Sequence, residues 1–314
     1  MITKEDWNRI VDQSNFPYYT MNFEWFSAIE KTYPNFEKHV LINENSLFPF
    51  IIDKEKKIIA SPSPFGGVGG PTDFKFLEDN LKEIERISSI KKIKYIVLYF
   101  ATLGKEYIEI LNKRKYLIQK QTYLMVNTER QINEILNSIH KSKRRYIKKI
   151  ENEFIFKTIN YPSTKEIEEF YNLYIEVMVK NNCSNIFSLD HFKNITEYLK
   201  ENVILDFIFD TNKNLLGCSF LINSKNIITT YFDVVSPKYY KTQAATFLFW
   251  NQIKRCVHEN KKYADLGPSV HESSNFIFKT YFGAEVLEFI MAFKYTNIID
   301  SFFKTSFKKW VKSF

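Results

Sequence analysis

The sequence has few of the residues that mark secreted, metal-bound or membrane-spanning proteins. Its 314 residues include only three cysteines, Cys183, Cys218 and Cys256, and no Cys-x-x-Cys pair. Three widely spaced cysteines predict free thiols in a reducing cytoplasm and argue against a disulfide scaffold or a zinc cage. No uncharged run approaches the roughly 20 apolar residues of a spanning helix. The first ten residues are charged and have no apolar stretch, so we expect no secretory signal and a cytoplasmic location.

Several catalytic motifs are also absent. The five histidines are far apart and no His-Glu-x-x-His pair occurs, so the sequence predicts no metal site. No Gly-x-Ser-x-Gly elbow, Walker loop or Gly-x-Gly-x-x-Gly loop follows a predicted strand. A hydrolase or a dehydrogenase therefore has little support, and we expect no bound cofactor.

The composition is that of a globular protein. Hydrophobic residues make up 45% and charged residues 25% of the chain, which excludes a disordered or fibrous chain. A chain of this length usually forms about two domains. The formal net charge of +8 favours an anionic partner, such as tRNA, a nucleotide or a membrane surface.

Hydrophobic periodicity predicts alternating helices and strands in both halves of the chain. The predicted helices cover 4–12, 22–32, 75–88, 104–114, 129–150, 189–200, 241–258 and 273–281, with another that begins at Ser163 in a capping box with Glu166. The predicted strands cover 39–42, 48–52, 57–60, 95–100, 117–126, 154–159, 203–209, 216–222, 226–235, 263–266 and 286–295. Strands 203–235 form an antiparallel meander. This pattern predicts a mixed α/β (α+β) protein with one unit over 1–127 and a second over 128–295.

Three stretches carry polar or backbone groups that could bind or react. The loop 61–71 holds four of the eight glycines, and the backbone N–H groups around Gly66 and Gly67 could hold a phosphate; the alternative is a structural connection that needs positive φ.

The second stretch, 141–149, has six basic residues in nine. On a helix, Lys143, Arg144, Arg145 and Lys148 could bind the phosphates of a nucleic acid, or the face could simply be solvated.

The third stretch, 263–283, is the most distinctive. Asp265 and Gly267 end a predicted strand, and Phe278-Lys279 follows a polar loop. A lysine among aromatic side chains at a strand edge could balance the negative charge that develops at an acyl centre.

With these residues, the sequence resembles the FemABX and GNAT-like superfamily of aminoacyl- and acyltransferases. The similar blocks follow the family's order: the Trp25 helix, the Ser61–Gly67 loop, the basic helix 143–149, the segment 231–250, and Tyr263–Gly267 with Phe278-Lys279 and Phe282-Gly283. The resemblance implies two side-by-side GNAT-like units with a cleft between them.

The resemblance also implies a reaction. An aminoacyl group would pass from aminoacyl-tRNA to an amine of a cell-envelope precursor or a peptide-like acceptor, with no covalent enzyme intermediate. Lys279 would stabilise the oxyanion, Phe278 would wall the acceptor channel, and Asp265 would orient the acceptor or Lys279. The predicted substrate-binding residues are Tyr231, Asp233, Gly66, Gly67 and Ser269.

Some residues depart from the family's pattern. Gly69-Gly70-Pro71 stands where precursor-binding members have Arg-Gly-Pro, which favours the exopolysaccharide-associated branch of the family over enzymes that act on peptidoglycan precursors. Lys238–Thr246 has no glycine, which argues against acyl-CoA bound in the usual GNAT manner. An acyl-CoA-dependent N-acyltransferase remains the alternative enzyme, and an RNA- or membrane-binding module without activity is the third hypothesis.

The last predicted segment is a basic amphipathic helix over 296–314. Apolar residues recur at helical spacing between Ile299 and Phe314, and four lysines occupy the other side. Such a helix either lies peripherally on the inner face of a membrane or docks on its own protein.

Overall fold

The computed structural model describes residues 2–14, 16–101, 103–150 and 153–296. The chain forms two compact units: unit 1 holds the residues up to Gln121 and those from Glu288 onward, and unit 2 runs from Thr122 to Leu287. The sequence-predicted boundary at 127 and the single second unit over 128–295 differ from this division, because the last strand leaves unit 2 at Leu287.

Unit 1 combines a mixed β-sheet with α-helices. Its elements are α1 (Lys4–Asp12), α2 (Phe23–Thr32), β1 (Phe36–Asn43), β2 (Ser46–Asp53), β3 (Ile58–Ser61), α3 (Leu77–Ile90), β4 (Tyr95–Phe100), α4 (Lys105–Lys113) and most of β11 (Glu285–Tyr295). The strand order is β1-β2-β3-β4-β11. The β3–β4 pair is parallel and the other three pairs are antiparallel.

The core of unit 1 lies between β2, β4 and α3. All residues of β2 are buried, as expected for a central strand covered on both faces. Leu77, Leu81 and Ile84 recur on one face of α3 and pack in one cluster with Phe48 and Phe50.

Unit 2 has a longer mixed sheet and carries the predicted catalytic residues. Its elements are the part of β5 (Leu117–Asn127) from Thr122 onward, α5 (Ile132–Ser138), α6 (Lys141–Ile150), β6 (Ile155–Asn160), α7 (Thr164–Lys180), α8 (Leu189–Leu199), β7 (Val203–Phe209), β8 (Leu215–Asn223), β9 (Ile227–Val235), α9 (Ala244–His258), β10 (Tyr263–Pro268) and α10 (Ser274–Thr280). The strand order is β5-β10-β9-β8-β7-β6, and only β9 and β10 are parallel.

Helices cover both faces of this sheet. On one face, Ile228, Ala264 and Leu266 pack in a cluster with residues of α9 and with Phe282. On the other face, the ring of Phe220 meets rings of α7 and α8. We call these the α9 face and the α7/α8 face.

The structure confirms several local predictions. The Ser163 side chain and the Glu166 side chain form the predicted capping box at the start of α7. Strands β7, β8 and β9 form the predicted antiparallel meander. The three cysteines are free thiols, with Cys183 exposed and the other two buried.

The predicted helix over 129–150 is wrong, because the structure has two helices there. Ile139 has an extended backbone (ψ 137°), and the His140 N–H donates to the carbonyl of Tyr281 at 2.8 Å instead of continuing the helix. The Ser138 hydroxyl also donates to the carbonyl of Ile135, which competes with helical bonding. The apolar spacing continues across this break, so periodicity alone could not reveal it.

The predicted C-terminal helix over 296–314 lies, apart from Thr296, outside the described residues. Within the ranges that the structure describes, no helix is both long enough and apolar enough to cross a membrane.

Gly283 joins α10 to β11 and offers a test of this packing. Its φ is +73°, and a Cβ built on it would lie 2.7 Å from the Ser138 Oγ. We expect Gly283→Ala to destabilise the protein by about 2 kcal/mol, from left-handed strain plus this clash. In a Ser138→Ala background the clash is gone, so the penalty should fall to about 1 kcal/mol. Urea unfolding measures both, and equal penalties in the two backgrounds would contradict the packing.

Candidate active site

Lys279 on α10 is a buried cation held by backbone carbonyls. Only 6% of the residue is exposed. Its Nζ donates to the carbonyls of Gly267 (3.3 Å) and Pro268 (3.1 Å), which leaves one of its three N–H groups. Burial lowers the pKa of Lys279 from its ordinary value, while Asp233 and Asp265 oppose this shift. The lysine is therefore a desolvated positive charge in the field of two carboxylates.

Asp265 shapes the loop that holds Lys279. Its buried carboxylate accepts a hydrogen bond from the Gly267 N–H at 2.8 Å, an Asx-type turn. Gly267 has a positive φ (+79°), and the carbonyls of Gly267 and Pro268 accept hydrogen bonds from Lys279. Asp265 thus bonds to the same loop whose carbonyls accept from Lys279, and its role toward Lys279 or the acceptor stays a prediction.

Asp233 on β9 has one carboxylate oxygen without a partner. The Ser219 hydroxyl donates to its Oδ1, whereas its Oδ2 is buried and accepts no hydrogen bond from any described residue. Burial raises the pKa of Asp233 to about 6, opposed by the Ser219 hydrogen bond and by the charge of Lys279. An orphan carboxylate oxygen is costly unless a ligand uses it.

A row of polar side chains crosses the sheet beside Asp233. Asp206, Ser219 and Asp233 face one another in register on β7, β8 and β9. At the far end of the row, Arg255 of α9 donates to Asp206 at 2.8 Å and to the Thr158 hydroxyl at 2.7 Å. Asp206 is thus paired with Arg255, while the positive charge that acts on Asp233 is that of Lys279.

Phe278 stands beside Lys279 on α10 and is clamped by neighbours. Its ring contacts those of Phe249 and Phe282, with centroids 5.5 and 5.4 Å away. The Nζ of Lys143 lies 4.4 Å from the centroid of the Phe278 ring and also donates to Gln243 and Thr246, both at 3.2 Å. Burial lowers the pKa of Lys143.

The predicted phosphate-binding residues separate into two groups. Lys143 turns inward to Phe278 and the start of α9, and Arg144 is half-buried and donates to the carbonyl of Asn137. Arg145 and Lys148 are exposed, and neither forms an ion pair with another described residue. The outward-facing basic surface of α6 therefore consists of Arg145 and Lys148 together with Lys141 and Lys149.

A β-bulge separates Tyr231 from Asp233. The β8–β9 register shifts at Tyr231, so Tyr231 and Phe232 both pack on the α7/α8 face. The Tyr231 hydroxyl and the Nε2 of buried His191 are 2.6 Å apart, and burial lowers the pKa of His191 to about 3, so this histidine is neutral. Tyr231 and Asp233 were predicted as one binding set, but their side chains lie on opposite faces.

Three other predicted positions are less central. Ser269 follows the Lys279-binding loop and its hydroxyl accepts a hydrogen bond from Asn275 at 3.3 Å. Gly66 and Gly67 belong to unit 1 and have φ of +89° and +104°. The neighbouring N–H groups of Val68, Gly69 and Gly70 are used inside the protein, by Thr20, Tyr99 and Ser61, so they offer no phosphate cradle. Substrate binding by Gly66, Gly67 and Ser269 stays a prediction.

Sequence reasoning missed Ser219 and Asp206. A signal for both was present, because Asp206 is the one polar residue of β7 and Ser219 lies between Cys218 and Phe220 in a mostly apolar strand. Buried polar residues in such strands are more informative than exposed ones. The partners of Lys143 and Tyr231 had no comparable local signal.

The comparisons support the fold. No protein-family model and no curated protein matches the chain. FemX matches with a TM-score of 0.73 and 11% identity over 92% of this chain and 96% of that chain. The C-terminal domain of a protein assigned as a lysylphosphatidylglycerol synthetase, from Agrobacterium fabrum, matches with a TM-score of 0.62 and 12% identity over 94% and 92%.

A tandem GNAT protein from the clavulanic acid biosynthesis pathway is also similar, with a TM-score of 0.57 and 6% identity over 84% of each chain. These likenesses confirm the predicted α+β class and the FemABX- and GNAT-like fold. The cleft between the units stays a prediction.

Asp233→Asn should stabilise the protein in a pH-dependent way. Because the pKa of Asp233 is raised from 3.8 to about 6, the wild type binds a proton on folding and loses stability as pH rises through this range. Above about pH 6 the variant should be more stable by about 1–3 kcal/mol, and below pH 3.8 the two should be equal. Urea unfolding across this range measures the difference.

The matched control is Asp190→Asn, which makes the same change at an exposed site of unit 2. It should not reproduce the pH-dependent gain. A destabilised Asp233→Asn at every pH would show that the carboxylate stabilises the fold.

Proposed function

We propose that the chain is an amide-forming acyltransferase that moves an aminoacyl group from aminoacyl-tRNA onto an amine of a cell-envelope precursor or a peptide-like acceptor. The observation that carries this proposal is the buried ammonium of Lys279, held by two carbonyls with one N–H left to donate. Acyl transfer to an amine passes through a tetrahedral oxyanion, and a fixed, desolvated cation is suited to stabilise it.

Asp265 and Phe278 have separate roles in the proposed reaction. Asp265 holds the carbonyls that aim Lys279, so the ammonium needs no reorganisation during the reaction. Phe278, fixed by Phe249, Phe282 and Lys143, supplies an apolar wall beside Lys279 for the acceptor. No enzyme nucleophile is needed, because an ester or thioester donor is already activated.

The similar structures agree with a transferase. FemX and the lysylphosphatidylglycerol synthetase relative share most of this chain's length, and the latter's name states an aminoacyl product on a lipid. The basic surface of α6, with Arg145 and Lys148 exposed, supports tRNA as the donor. We propose a cytoplasmic location, with peripheral contact at the membrane through 299–314.

The alternative is an acyl-CoA-dependent N-acyltransferase, which the tandem GNAT relative favours. At the start of α9, Gln243 takes the left-handed conformation (φ 67°) and Lys143 donates to Gln243 and Thr246. Lys143 thus already forms hydrogen bonds with the side-chain oxygens of Gln243 and Thr246 at the start of α9.

Lys279→Ala should lower the rate of transfer by about 100- to 1000-fold, the usual effect of losing an oxyanion donor. The assay follows single-turnover transfer from bulk charged tRNA, and separately from acetyl-CoA, to hydroxylamine as a small acceptor. Lys279→Met keeps the apolar stem and should be equally slow. An unchanged rate in both variants would overturn the role of Lys279, and no transfer by the wild type from either donor would overturn the proposed reaction.

The exposed surface of α6 should set the affinity for tRNA. Arg145→Gln/Lys148→Gln should weaken binding and reduce the slope of log K against log salt by about 2, since each residue neutralises one phosphate. Filter binding over a salt series measures the slope. Lys56→Gln/Lys113→Gln removes the same charge from exposed sites in unit 1 and should leave the slope unchanged.

Equal slopes in the two double variants would contradict a tRNA site on α6. In that case, a rise in melting temperature with CoA and not with charged tRNA would support the acyl-CoA alternative.

A further inference from the structure

The orphan oxygen of Asp233 has no place in the mechanism above. Its Oδ2 is buried and unpartnered, while Ser219 fixes the other oxygen. A carboxylate held by one oxygen presents the other in a defined direction. Among the described residues, the positive charge that acts on Asp233 is that of Lys279, yet the Nζ of Lys279 is bonded to carbonyls and not to this carboxylate.

The strands open where Asp233 lies. The parallel pairing of β9 with β10 extends from Ile227 to Thr229 on β9 and ends at Asp265 on β10. Beyond that point β9 carries the bulge at Tyr231, and β10 turns at Gly267. Asp233 and Lys279 therefore lie at the part of the sheet where β9 and β10 have stopped pairing.

Asp233 and Lys279 carry opposite charges and therefore suit different groups of the substrates. Lys279 is a cation suited to the acyl oxygen, whereas an anionic Oδ2 attracts a cation. The acceptor of amide formation is such a cation, because a primary amine is an ammonium ion at neutral pH.

We infer that Asp233 is a second catalytic residue, which binds the acceptor's ammonium group through Oδ2 and removes its proton. This inference rests on the proposed acyl transfer. The substrate class it names is a primary alkylamine, and not a hydroxyl group.

The step balances with the groups named. Asp233 takes one proton from the ammonium, and the freed amine attacks the acyl carbon, so a C–N bond forms. Lys279 stabilises the oxyanion, the C–O bond to the donor breaks, and the leaving alkoxide takes the second proton from nitrogen. The proton on Asp233 is then released to water.

Two charged groups set the titration of Asp233. Lys279 of α10 favours its ionised form, whereas Asp206 of β7 disfavours it but is paired with Arg255 of α9. Burial raises the pKa of Asp233 to about 6, low enough for the ionised form to dominate at neutral pH.

The experiment compares two acceptor amines in the transfer assay. Ethylamine is an ammonium ion at neutral pH and needs a base, whereas hydroxylamine is already unprotonated and does not. We expect Asp233→Asn to slow transfer to ethylamine by about 100-fold or more while transfer to hydroxylamine changes by less than about 10-fold. At pH values below about 6 the wild-type rate with ethylamine should decrease, and Asp233→Asn should not show this decrease.

The controls separate the two claims. Lys279→Ala should slow both amines alike, and Asp190→Asn should slow neither. If the wild type transfers to both amines and Asp233→Asn is equally fast with both, or equally slow with both, the base role is wrong while the acyl transfer stands. If the wild type transfers to neither amine, the proposed reaction itself fails.

Discussion

A buried ammonium group that must stay charged is the constraint on which unit 2 depends. Lys279 is almost fully enclosed, and burial alone favours its neutral form. Two carbonyls and the fields of Asp233 and Asp265 oppose that cost. Burying this charge costs folding free energy. It favours catalysis, because a cation with little water around it interacts strongly with the negative charge that develops in the transition state.

The sheet supplies this arrangement through two local irregularities. The Asx turn at Asp265 and Gly267 directs carbonyls toward Lys279, and the bulge at Tyr231 returns Asp233 to the α9 face. Without the bulge, strand alternation would place residue 233 on the same face as Tyr231. Arg255 then pairs with Asp206, to which the Thr158 hydroxyl also donates, and the Ser219 hydroxyl fixes one oxygen of Asp233. Regular strands thus form the sheet of unit 2, and the Asx turn and the bulge place the residues of the candidate site.

Much of the fold could be predicted from the sequence, because the apolar periods are clear and the caps are explicit. The capping box at Ser163 and the meander from Val203 to Val235 follow from local patterns. The helix break at Ile139 could not be predicted, since its cause is a hydrogen bond between His140 and Tyr281, which are distant in sequence. The return of the last strand to unit 1 is likewise a long-range outcome.

The residues of the candidate site also divide into those that the local sequence reveals and those that only tertiary contacts distinguish. Lys279 and Asp265 stand out in the sequence because a charged residue among apolar ones is locally visible. The inward position of Lys143 was hidden, because in sequence it is one of six similar basic residues, and only tertiary packing against Phe278 distinguishes it. The separation of Tyr231 from Asp233 depends on a single bulge, which alternation rules do not reveal.

The charge state of Lys279 tests the proposed site. Lysine-specific 15N NMR, with Lys279→Met to assign the signal, can follow its amine from neutral to alkaline pH. If Lys279 is a desolvated cation near Asp233, its pKa lies below the ordinary value for lysine, it is an ammonium at neutral pH, and its pKa falls further in Asp233→Asn. A neutral Lys279 at neutral pH, or a pKa that Asp233→Asn leaves unchanged, would contradict it.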